Sequence, residues 1–81
     1  MSQNESKWTA EWVKVLRSER QNKSNRIDLQ VVKWEWADRP VLEKRRVWEK
    51  EDGDRPTKMV GLSADDLKFI YDNYSDIINM L

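Results

Sequence analysis

Trp34, Trp36 and Trp48 flank Lys44 and Arg46 within a single stretch of the chain, and Lys58 follows ten residues later. Flat aromatic rings interleaved with cations suit unpaired nucleic-acid bases. Every base offers a π-face and every linkage a negative charge. These six residues are the candidate nucleic-acid-binding set, with the rings stacking on bases and the cations holding the backbone. An interaction module is the competing reading, in which the tryptophan face receives an apolar or proline-rich partner segment. The placement of the cations separates the two, because a polyanion needs them between the rings and an apolar peptide does not.

The elements that must position this set are legible from alternation. Residues 40–50 read as a strand with Leu42, Lys44, Arg46 and Trp48 on one face and Val41, Glu43, Arg45 and Val47 on the other. Before it, Ile27, Leu29 and Val31 alternate with Asp28, Gln30 and Val32 over residues 26–36, and a turn at 37–40 joins the two strands. Asp52-Gly53 marks a second hairpin, and residues 55–62 form a further strand. Residues 7–17 fit a helix, with Trp8, Trp12 and Val15 or Leu16 as a stripe. They fit equally a strand with Trp8 and Trp12 on one face. The strand makes the chain consistent. Val13, Val15, Ile27, Leu29, Val31, Val41 and Val47 then cover one sheet face, and the tryptophans, Lys14, Lys44 and Arg46 the other.

Ser63 opens a helix, with Asp66 completing a capping box. Leu67, Ile70, Tyr71, Tyr74, Ile77, Ile78 and Leu81 recur at three- and four-residue steps as one apolar stripe, flanked by Phe69 and Met80. The expected fold is α+β: a four-stranded antiparallel β-meander followed by one amphipathic C-terminal helix. It forms a single domain over residues 1–81, with a loose terminus at 1–6, the sheet over 7–62 and the helix over 63–81. The helix carries more apolar surface than one sheet face needs. This predicts a homodimer joined through Tyr74, Ile77, Ile78 and Leu81.

Whole-chain composition removes several classes. With no cysteine and no histidine, neither disulfides, a thiolate metal site nor a histidine-activated nucleophile is available. The acidic residues around Gly53 lack calcium-loop spacing. The chain therefore reads as a non-enzyme without metal or cofactor. No apolar run reaches membrane-span length and no signal-peptide pattern opens the chain, so a soluble intracellular protein of the cytoplasm, nucleoid or nucleus is expected. Net charge is zero. It is segregated, at −3 over residues 63–81 and +3 over residues 1–62, which leaves a local positive field for a polyanion.

A strand–turn–strand ending in Arg46-Val47-Trp48 is followed by an acidic glycine turn, Lys58-Met59-Val60-Gly61-Leu62-Ser63 and an amphipathic helix. This order, over roughly residues 28–81, resembles the positive-coactivator-four family of transcriptional-coactivator-like single-stranded DNA-binding proteins. Where the family usually has glycine after the lysine, this chain has Met59, with Gly61 two residues on. The resemblance implies four antiparallel strands and a C-terminal helix, dimerisation through the helices and single-strand binding across the sheet. It also implies service in transcription, replication or recombination, with proteins of those processes as further partners.

Overall fold

The computed structural model describes residues 9–81, so Lys7 and Trp8 of the expected first strand lie outside the described residues. Four strands, β1 (Ala10–Arg20), β2 (Asn25–Trp34), β3 (Val41–Lys50) and β4 (Gly53–Met59), form one antiparallel sheet in the order β1-β2-β3-β4. Two helical segments follow, α1 (Ala64–Asp72) and α2 (Tyr74–Met80). The strand reading of the first segment and the meander are both present. The single C-terminal helix is not.

Local chemistry accounts for the punctuation. In the first loop, Asn22 Oδ1 accepts from the amides of Ser24 (2.8 Å) and Asn25 (2.9 Å), a side chain standing in for a backbone turn. Gly53 has φ +131°, a conformation closed to most side chains, and it lets β4 leave the Asp-Gly turn. The helix divides at Asn73, whose φ of −118° and ψ of 23° leave the helical region. Its Nδ2 donates to Phe69 O at 2.9 Å, the competition with backbone bonding that makes asparagine a poor helix-interior residue. Asn73 also caps α2: Ile77 N donates to Asn73 O at 3.0 Å, the first backbone bond of that helix.

Pairing register decides which side chains share a face, since residues directly opposite in an antiparallel pair point the same way. Ile27 lies opposite Arg46, Leu29 opposite Lys44 and Val31 opposite Leu42. Lys44, Arg46 and Trp48 therefore share a face with the Ile27/Leu29/Val31 row, not with Trp34. On β1, register shifts between Ala10 and Trp12 and between Val15 and Arg17 swap the parity. Trp12, Lys14 and Arg17 join that same face, while Val13, Val15, Val32, Val41 and Val47 lie on the opposite one. The expected division into an aliphatic and a tryptophan face is thus corrected. Parity within a strand is fixed by pleat, but a one-residue change of register between strands flips every side chain.

The helices dock on the Ile27/Leu29/Val31 face through one carboxylate. Ser63 and Asp66 form the expected capping box: Asp66 N donates to Ser63 Oγ at 3.1 Å and Ser63 N to Asp66 Oδ2 at 2.8 Å. The same Asp66 side chain accepts from Lys44 Nζ on β3 and, at 3.4 Å, from Arg17 Nη1 on β1. The Arg17 guanidinium also lies 5.4 Å from the Phe69 ring centroid. Burial alone would raise the Asp66 carboxyl, but Lys44 and the Ser63 donors outweigh it and hold it at about 2. Ile77 is buried, and Phe69, Ile70 and Met80 are half-buried. Leu67, Tyr71, Tyr74, Ile78 and Leu81 stay between 47% and 81% exposed. The expected apolar stripe is therefore two rows. Ile77, assigned by sequence to a dimer interface, packs within its own chain.

Candidate nucleic-acid interface

The six residues expected to form one surface do not all come together. Trp34 is only 4% exposed and belongs to the core of the face opposite the helices. Its indole Nε1 donates to Glu43 Oε1 at 3.5 Å, and the Arg45 guanidinium lies 5.7 Å from its ring centroid. Trp36 is 61% exposed, but it sits in the turn after β2, off the sheet. The β2–β3 pairing sets it at the opposite end of that hairpin from Trp48, which lies across from Asn25 at the start of β2. Lys44 is on the helix face, half-buried, with its ammonium on Asp66. Trp34 and Trp36 therefore do not join Trp48 in a row with Lys44 and Arg46 between.

Arg46 and Trp48 do come together, two residues apart on the same face of β3. Trp48 is 45% exposed, with Lys50 Nζ 4.4 Å from its ring centroid and Arg55 of β4 directly across from it. Lys58 is exposed and falls where the β3–β4 register skips, between the Val47–Pro56 and Arg45–Met59 pairs. Arg46, Lys50 and Lys58 have no carboxylate partner among the described residues. Arg55 has a loose one, Asp52 at 3.5 Å with both side chains exposed, worth little in water. Glu49, Glu51 and Asp52 line one hollow with Trp48 and Lys50, so acidic groups also border the ring. An open aromatic ring beside cations without carboxylate partners can accept a stacked base and its flanking phosphates. Lys50 and Arg55 are absent from the sequence-derived set. Two signals could have found them: Lys50 shares the parity of Trp48, and the Asp-Gly hairpin sets the start of β4 beside the end of β3.

The opposite face is a different electrostatic object. Its arginines among the described residues are each matched to a carboxylate. Arg26 reaches Asp28 at 3.0 Å, Glu49 at 2.7 Å and Asp54 at 2.9 Å, Arg20 reaches Glu49 at 2.7 Å, and Arg45 reaches Glu43 at 2.7 Å. Hydrogen bonds from Arg20 and Arg26 hold the Glu49 carboxyl at about 2. Burial pushes Glu43 up, but Arg45 and Gln30 outweigh it and keep it below the usual carboxylate range. Such a face gives phosphate no spare positive charge. Compared with family models, curated proteins and solved structures, the chain gives no match.

Proposed function

We propose that this chain is a non-enzymatic single-stranded DNA-binding protein that binds through Trp48, Arg46 and Lys58, with Lys50 and Arg55 completing the surface. The observation that carries this reading is an exposed tryptophan together with Arg46, Lys50 and Lys58, which have no carboxylate partner among the described residues. The motif order over residues 28–81 and its resemblance to the positive-coactivator-four family point to service in transcription, replication or recombination. Stacking and phosphate contacts carry little base code, so binding is broadly sequence-tolerant. Two copies associate through the outer row of the helices, which places two such surfaces in one particle and raises affinity through effective concentration. The alternative, a tryptophan face that receives an apolar or proline-rich partner segment, draws less support, because Trp34 is buried on the other face and Trp48 stands beside cations.

Titration of a single strand is expected to quench tryptophan emission and to bind more tightly than the matching duplex, whose bases are stacked inside. Equal affinity for both forms with unchanged emission would sink the reading. In anisotropy titrations, Trp48→Ala should weaken single-strand binding by about 1–3 kcal/mol. Arg46→Ala or Lys58→Ala should instead flatten the salt dependence by about 0.7 in logarithmic slope for each phosphate no longer neutralised. Circular dichroism establishes that each variant is folded. A folded Trp48→Ala that binds like the parent would exclude Trp48 from the site.

A further inference from the structure

The sheet face away from the helices holds a cleft of about 260 Å³ that the proposed strand-binding surface does not use. Its walls are Val13 and Val15 of β1, Val47 of β3 and Pro56 of β4, and its floor includes Asp28 and Gln30 of β2. Side chains from all four strands meet around one space, so this face is concave. The volume falls just below the range of about 300–1,000 Å³ typical for drug-sized ligands, which suits a single ring system.

The floor carries an acceptor that the chain itself leaves to solvent. Gln30 is 5% exposed, and its Nε2 donates to Glu43 Oε2 at 3.1 Å. Glu43 is a carboxylate and accepts only, so the amide nitrogen must face it and the orientation of the amide is fixed. Gln30 Oε1 then accepts from no donor among the described residues, although it keeps some contact with solvent. Water reaches that oxygen, and a ligand N–H can take the place of that water. Two residues away on the same face, the buried Asp28 carboxylate accepts from Ser18 Oγ at 2.5 Å and from Arg26 Nε at 3.0 and 3.1 Å. A carboxylate has about four lone-pair sites, so Asp28 can still accept. A ligand for this cleft must bring N–H donors on a flat, apolar body. Phosphate is excluded, because the neighbouring arginines are already matched to carboxylates.

We infer that the cleft receives one unstacked base bearing an amino group (cytosine, adenine or guanine) from the bound strand. The apolar walls sandwich the ring, and Gln30 Oε1 and Asp28 accept from its edge, as side chains read splayed-out bases in single strands. Thymine is disfavoured, since its one ring N–H lies between two carbonyl oxygens that would face the acceptors. The route is short. On β4, Arg55 faces Trp48, while its neighbours Asp54 and Pro56 face the cleft, so a strand crossing the β4 edge meets both sites.

The occupant rests on the single-strand reading, and the test separates the two. Labelled oligo(dC) and oligo(dT) of about twelve nucleotides, within the span such surfaces cover, are titrated by anisotropy at neutral pH. The parent is expected to hold oligo(dC) about tenfold more tightly, a factor within what one well-made base contact supplies. Gln30→Met should abolish the preference by weakening oligo(dC) alone. Val15→Phe, at an exposed wall position, should do the same by narrowing the cleft, with the buried polar groups untouched. Equal affinity of the parent for both strands, or a preference that survives both substitutions, overturns the cleft and leaves the single-strand reading standing. Binding to neither strand overturns both.

Discussion

Asp66→Ala is expected to destabilise the chain by about 3 kcal/mol, a large part of what an ordinary domain has to spare. Three functions converge on this carboxylate. It closes the capping box on the Ser63 amide, accepts the Lys44 ammonium from β3, and receives Arg17 from β1. Loss of a helix cap alone costs about 1 kcal/mol. The remainder arises because Lys44, only 11% exposed at its side chain, is left without its counter-charge. Urea denaturation should show a lower midpoint with an unchanged slope. Asp66→Asn, which keeps an acceptor for the Ser63 amide, should lose less. The carboxyl sits at about 2 in the folded chain against about 3.9 for an unfolded aspartate. Its contribution is therefore complete above pH about 4 and is lost as pH falls toward 2. The stability difference between parent and Asp66→Asn should shrink across that window. A constant difference from pH 6 to pH 2 would show that the charge of Asp66 does not carry the docking.

The sequence announced Asp66 as a capping residue but not as the bolt between helix and sheet, and the reason is general. Ser63 and Asp66 are three residues apart, so their bond is a local matter, whereas Lys44 and Arg17 meet Asp66 only through the tertiary fold. The same divide runs through the candidate site. Pleat fixed Arg46 and Trp48 on one face of β3, and that pair stands. Whether Trp34 joined them depended on how β2 pairs with β3 across the turn at residues 35–40. The register of Leu29 opposite Lys44 sends Trp34 to the other side. On β1 the face of Trp12 turned on a register shift that no periodicity reveals. The strands, their order and the helix cap were local enough to read. The concave polar face with Gln30, Glu43 and Arg45 was not, because buried charges in a half-polar alternation look like a solvated strand until their partners are known.

Two copies of the chain are expected to join through the helices, and the row that joins them differs from the one periodicity first suggests. Leu67, Tyr71, Tyr74, Ile78 and Leu81 follow one another at steps of four, three, four and three, the spacing of a coiled-coil seam, and all remain exposed. With fully exposed aromatic side chains worth about 150–250 Å² each, the five offer on the order of 600 Å² of apolar surface. That is at the upper end for a patch left open on a monomer and approaches the roughly 800 Å² per partner of a stable interface. Ile78→Asp should weaken association roughly 100-fold by placing an unpaired charge in the seam, with the far-ultraviolet spectrum unchanged because Ile78 is exposed within its own chain. Ile77→Asp is the contrast: Ile77 is buried against its own sheet, so that change should unfold the chain outright. Salt gives a second signature. Asp65, Asp72 and Asp76 flank the row against Lys68 alone, so paired helices repel, and added salt should tighten the dimer while it weakens binding to DNA. Sedimentation at micromolar concentration decides the matter. A parent species at twice the 9.8 kDa chain mass, falling to 9.8 kDa in Ile78→Asp, is the expected result. A parent that sediments only at 9.8 kDa would mean that the exposed row serves no second copy.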